Sequence, residues 1–115
     1  MKKLIALVLS LVLLCSVTAY AENITVGVIQ YATHPSLDNC YEGFVKGLAE
    51  GGYVEGDNLT LDFQNAMADM GNSDMQAKNM AAKQENLLVG IATPAAMSAY
   101  AATREAGTPV VFIAV

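Results

Sequence analysis

Ile24-Thr25-Val26-Gly27-Val28-Ile29-Gln30 is a short, nearly continuous apolar run rich in β-branched residues. Such a run reads as a strand buried on both faces, as the strands of parallel sheets are. Pro35 follows and suits the first turn of a helix, where its missing N–H costs no bond. Leu37, Tyr41, Phe44, Val45 and Leu48 then recur along one helical face. Asp38 and Glu42 lie near the start of that helix, where its dipole favours negative charge. Gly51-Gly52 stops it.

The same strand-then-helix unit repeats outward from this stretch. Leu59-Thr60-Leu61-Asp62-Phe63 alternates as a second strand, and its polar positions Thr60 and Asp62 place it at an edge. A polar stretch leads into a helix over residues 73–84, with Met75 and Met80 on its apolar face. Leu87-Leu88-Val89-Gly90-Ile91-Ala92 reads as a third strand. Thr93 is placed to cap the next helix, with Pro94 at its first position. Met97, Tyr100, Ala101 and Arg104 run along that helix, and Gly107 ends it. Residues 109–115 form a fourth strand. The order β-α-β-α-β-α-β with right-handed crossovers predicts an α/β fold: a three-layer αβα, doubly wound parallel sheet with strand order 2-1-3-4. Strands 1 and 3 are then neighbours whose following connections leave in opposite directions. Ligands of such sheets bind there, at the carboxyl ends of the strands. Residues 30–34 and 92–95 line that point.

Ahead of the first strand, Lys2 and Lys3 precede an apolar run over residues 4–17, then Ala19-Tyr20-Ala21. A basic start, a short apolar core and small residues at the cleavage point describe a secretory signal peptide over 1–21. At 14 residues the run is short of the about 20 that a spanning helix needs. Cys15 lies in it, but Leu14 stands where lipidation requires a small residue. The expected mature chain, residues 22–115, is exported. It keeps Lys46, Lys78, Lys83 and Arg104 against all 11 acidic residues, a net charge of −7 where the whole chain has −5. An acidic balance repels phosphate, so no nucleic-acid partner is expected. Cys40 is its single thiol, which reads as a small core hydrophobe.

Catalytic chemistry is sparse. Gly51 and Gly56 have the spacing of a phosphate loop but lack its Lys, no G-x-G-x-x-G follows a strand, and there is no C-x-x-C. His34 is the single His, which argues against a His-rich metal site. Ser36 near His34 lacks the oriented base and oxyanion hole of an acyl-transfer nucleophile. No catalytic residue, metal or cofactor is expected. Binding chemistry fits better. The helix opening at Thr93-Pro94-Ala95-Ala96 presents free N–H groups beside a hydroxyl, with small side chains that permit close approach, and suits a carboxylate. Thr93 either caps its helix, meets ligand, or does both. Gln30 either hydrogen-bonds a polar ligand or simply ends its strand. His34 either contacts ligand or caps the first helix. Tyr31 covers the core edge or stacks on a ring. Asn65, ending the second strand, is a weaker ligand candidate.

The motifs Val26-Gly27-Val28-Ile29-Gln30 and His34-Pro35-Ser36-Leu37-Asp38 resemble the bacterial ABC-transporter substrate-binding proteins of the type I periplasmic-binding fold. The similarity is to the branch linked to tryptophan and tyrosine uptake. It continues through Gly43-Phe44-Val45-Lys46-Gly47-Leu48-Ala49-Glu50, Gly52-Tyr53-Val54-Glu55-Gly56-Asp57-Asn58, Phe63-Gln64-Asn65-Ala66, Ile91-Ala92-Thr93-Pro94-Ala95-Ala96 and residues 109–115. The resemblance implies a two-lobed protein that closes on an aromatic amino acid or similar small molecule and delivers it to an ABC permease in the membrane. It places Gln30, His34, Thr93 and Ala95 at the cleft. The same fold also serves exported ligand-sensing domains of signalling receptors, which is the alternative function. Family members continue past the fourth strand into the rest of the first lobe and a second lobe. Residues 22–115 are therefore expected to be part of an N-terminal lobe, with apolar positions on the fourth strand and its neighbours exposed, weak or absent ligand binding and a tendency to self-associate.

Overall fold

The computed structural model describes Lys2, Lys3 and residues 22–115. The expected signal peptide rests on residues 4–21, outside the described ones. Four strands, β1 (Ile24–Gln30), β2 (Leu59–Asn65), β3 (Leu87–Ile91) and β4 (Val110–Ile113), form one sheet in the order β2-β1-β3-β4. Every pairing is parallel. Three helices connect them: α1 (Pro35–Glu50), α2 (Met70–Ala82) and α3 (Thr93–Thr103). The order and the three layers agree with the reading of the sequence. No helix among the described residues is long and apolar enough to cross a membrane.

The two faces of the sheet bury different cores, because successive strand residues point to opposite sides. Val26, Val28, Leu59, Val89 and Ile91 face α1, which lays Leu37, Cys40, Tyr41, Phe44 and Leu48 across them. Ile29 and Leu88 face the other way, against Ala77 and Met80 of α2 and Ala95 and Ala99 of α3. The layers are unequal in depth. No residue of α1 is fully buried, whereas α2 buries Ser73, Ala77 and Met80, and α3 buries Ala95, Ala96, Ser98, Ala99 and Thr103.

Several details differ from the sequence reading. Helix α2 starts at Met70, three residues early, because the Asp69 side chain accepts from Asn72 N at 2.7 Å and caps it there. Its buried face is Ser73-Ala77-Met80, and Met75 is exposed. Strand β2 runs two residues further, to Asn65, held by pairing with β1 as far as Gln30. Strand β4 is shorter than residues 109–115, and its Val111 and Phe112 are exposed, as expected. In α3 the bulky Met97 and Tyr100 point outward, and only small side chains face the sheet.

Gly90 explains that choice of small residues. A Cβ at Gly90 would lie 2.8 Å from the carbonyl carbon of Ala95 and closer still to the backbone of Ala96. Strand and helix meet backbone to backbone, so no larger residue fits between them. Facing hydroxyls join α3 to α2: Ser73 Oγ donates to Ser98 Oγ (2.9 Å), which donates to Asp74 Oδ1 (2.6 Å).

Candidate functional site

Gln30, Asn65 and Ile91 stand side by side in register at the carboxyl ends of β1, β2 and β3. From this row the chain turns three ways. The connection after β1 leads to α1 on one face, and those after β2 and β3 lead to α2 and α3 on the other. The crevice between diverging connections is the switch point of the fold, and the residues singled out in the sequence converge on it.

Gln30 ends β1 with 1% of its surface exposed. Its Nε2 donates to Ala32 O (2.9 Å) and Asp38 Oδ1 (2.7 Å), tying the strand end to the first turn of α1. Its Oε1 is buried without a partner among the described residues. His34 caps α1: its Nδ1 accepts from Ser36 N at 3.2 Å, so its proton sits on the exposed Nε2 edge. Asn65 is occupied locally. Its Oδ1 accepts from Met67 N (2.8 Å) and its Nδ2 donates to Thr33 Oγ1 (3.1 Å). The β2–α2 turn is thereby fastened to the β1–α1 turn. Tyr31 packs on the core edge, and its hydroxyl donates to Ala68 O (3.1 Å) while its carbonyl accepts from Ala68 N (2.8 Å).

Those bonds hold a strained corner. Met67 and Ala68 take φ values of 55° and 59° in succession, in the left-handed region that favours glycine. Strain of this kind persists where the surroundings over-determine it. Sequence reading missed this corner, although the Asn65 side chain bonding two residues onward is a common turn device. Asn65→Ala removes both side-chain bonds. It is expected to cost about 1 kcal/mol and to speed exchange of the Met67 amide, measured by hydrogen–deuterium exchange.

Helix α3 opens differently from the expectation. Ala92, not Thr93, is its N-cap, and no side chain caps it. Thr93 is already the first helical residue and Pro94 the second. Ala92 adopts φ 78° and ψ 154°, a conformation otherwise close to glycine's alone. Two backbone bonds hold it: Ala92 N donates to Ile113 O (2.9 Å) and Ala92 O accepts from Ala96 N (3.0 Å). Pro94 has no N–H. The amides of Thr93 and Ala95 are thus the first-turn donors that a helix does not pair with its own carbonyls. Thr93 is exposed, whereas Ala95 is buried as a whole residue, backbone included. Thr93 is thus the exposed part of the positive end of this 11-residue helix, where an anionic group could be met. Among the described residues no cluster of His, Cys, Asp and Glu has the makings of a metal site.

A doubly wound parallel sheet of this kind places its switch point at the carboxyl ends of β1 and β3, where such folds take ligands. The sequence agrees: residues 25–115 match the model of the ABC transporter substrate binding protein family, and the chain belongs to that family. It is 40% identical over 90 residues to a tyrosine-binding protein of Clostridioides difficile, covering 78% of this chain and 26% of that protein. Among solved structures it is similar to the ABC domain of Streptococcus pneumoniae in complex with L-Trp. There the identity is 41%, the TM-score 0.74, and the match covers 79% of this chain and 30% of that one. It is likewise similar to a ligand-free, open substrate-binding protein with adhesive properties from Clostridium difficile. That match has 36% identity and a TM-score of 0.74, covering 77% of this chain and 30% of the other. The chain spans about a quarter to a third of these relatives' lengths.

Proposed function

We propose that residues 22–115 form one wall of the ligand cleft in an extracytoplasmic solute-binding protein of an ABC importer, and that the ligand is an aromatic amino acid. The observation that carries this reading is the exposed, side-chain-uncapped start of α3 at Thr93, set by the strained Ala92. Thr93, through its amide and hydroxyl, receives the ligand carboxylate. Pro94 holds the helix start rigid without supplying a competing donor. Gln30, His34 and Asn65 shape the opposite side of the crevice, with His34 Nε2 its exposed donor. The kinship to a tyrosine-binding protein and to a structure holding L-Trp supports the choice of ligand. In this reading the leader is cleaved near Ala21, and the acidic mature protein hands its ligand to a membrane permease.

Amide chemical shifts of the 15N-labelled chain test this. L-Tryptophan or L-tyrosine is expected to move the Thr93 and Ala95 signals. Tryptamine, which has the ring but no carboxylate, is expected to leave them in place. Binding is expected to be weak, since one wall buries less of a ligand than two. Unmoved Thr93 and Ala95 signals up to the solubility limit of both amino acids overturn the proposal.

A further inference from the structure

At the other end of the sheet from the crevice, Glu85 lies in the turn between α2 and β3 with 7% of its surface exposed. It lies over the face of the sheet at Gly27, which is the one residue of β1 that can lie beneath it. A Cβ there would fall on Glu85 Oε2 and lie 2.7 Å from Met80 Sδ. Asp62 of β2 is the register partner of Gly27, so its side chain stands on the same face of the sheet and the Asp62 and Glu85 carboxyl groups are neighbours there. Lys83 Nζ sits 2.9 Å from Asp62 Oδ2, on the solvent side. Glu85 Oε2 has no partner among the described residues. Two carboxyl groups in contact bond only if one carries a proton, since two carboxylates have acceptors alone.

We propose that Glu85 and Asp62 share one proton across this face of the sheet, and that the clasp so formed makes the α2–β3 corner firm in acid and loose in mild alkali. Asp62 is the ionised partner and Glu85 the protonated one. The hydrogen bond from Glu85, with Lys83 and Gln64 beside it, holds the Asp62 carboxyl below its usual range. Burial, then the Asp62 charge, pushes Glu85 up to about 8. The charged groups acting on Glu85 are Asp62 from β2 and Lys83 from the end of α2. β1 contributes Gly27 and α2 the neutral Met80. Asn86, next in the turn, is engaged with Thr25 through Oδ1.

The direction of the effect follows. Glu85 is raised above its unfolded value of about 4.5. Its contribution to stability is complete below that value and is lost as pH rises to about 8. Asp62 is lowered, so its contribution is lost only in stronger acid, outside this window. One proton linked to folding gives about a tenfold fall in the folding constant per pH unit across the window.

Thermal and urea unfolding of the full chain at pH 5 to 8.5 measures this slope. The unmodified chain is expected to lose stability as pH rises. Glu85→Gln, which keeps a donor for Asp62 and cannot ionise, is expected to flatten the profile. Equal slopes for the two overturn the proposal. If the variant does not fold, titration of the Glu85 carboxyl carbon by NMR decides: a midpoint near 8 supports the clasp, and one near the usual value for glutamate sinks it.

Discussion

Gly90→Ala is expected to destabilise the domain by about 3 kcal/mol, near the upper end for overpacking a closed contact. The added methyl meets backbone atoms of Ala95 and Ala96, not the movable tip of a side chain. Side-chain rotation therefore gives no relief, and α3 as a whole must shift away from β3. That shift pulls on Ala92, whose conformation depends on its bonds to Ile113 O and Ala96 N. The Thr93 and Ala95 amides move with it. A second result follows: any surviving folded Gly90→Ala protein loses the response of these amides to L-tryptophan. Against a total of about 5–15 kcal/mol for a domain, urea unfolding resolves the loss easily. Gly47→Ala is the internal control. Gly47 lies in α1 with nothing within 4 Å of an added Cβ, and helix propensity alone then predicts a gain of about 0.5–1 kcal/mol. The same substitution thus has opposite signs at two glycines. A Gly90→Ala chain as stable as the parent contradicts the backbone contact.

The difference between these glycines shows what the sequence could reveal. The buried run at β1, the proline-led helices and the spacing of the strands give the topology, because periodicity and breakers are local signals. The crossover rule then converts the order of elements into a spatial order. Gln30, His34, Asn65 and Thr93 were legible as candidates since the topology alone brings the carboxyl ends of β1, β2 and β3 together. Their bonding was not. Thr93 looks like a cap from its position before Pro94, yet Ala92 takes that role. The reason is tertiary: Ile113 of β4 accepts the Ala92 N–H and fixes the turn one residue earlier. Met75 reads as core by spacing, but α2 is rotated so that Ser73 meets Ser98 of α3. Helix contacts between small residues carry little hydrophobic signal, so the pattern gave no direction. Glu85 is the clearest case. Nothing in Gln84-Glu85-Asn86 marks a buried carboxyl, because its burial depends on Gly27, which is 58 residues away in the chain.

The unequal layers lead to the second large effect. Met80→Ala in α2 is expected to cost about 3–4 kcal/mol, whereas Leu48→Ala in α1 is expected to cost about half as much. Both side chains are of similar size, and alanine suits a helix at both positions, so propensity is not the difference. Met80 is 1% exposed and packs with Ile29, Ala77 and Leu88. Ile29 and Leu88 are fully buried and fixed on their strands, and Ala77 is too short to reach across, so the cavity stays largely open and most of its cost is felt. Leu48 belongs to a helix with no fully buried residue, and water already reaches part of its side chain. Less surface is transferred there, and the vacated space opens to solvent. Met80→Ala also withdraws the sulfur that lies over Gly27 next to Glu85. Admitting water at that point is expected to bring the Glu85 carboxyl down towards its ordinary range, so the pH slope of stability shrinks together with stability itself. Leu48→Ala, on the opposite face of the sheet, is expected to leave that slope unchanged. Chemical unfolding of both variants at pH 5 and pH 8 separates the two effects, and equal losses at Met80 and Leu48 contradict the asymmetry between the layers.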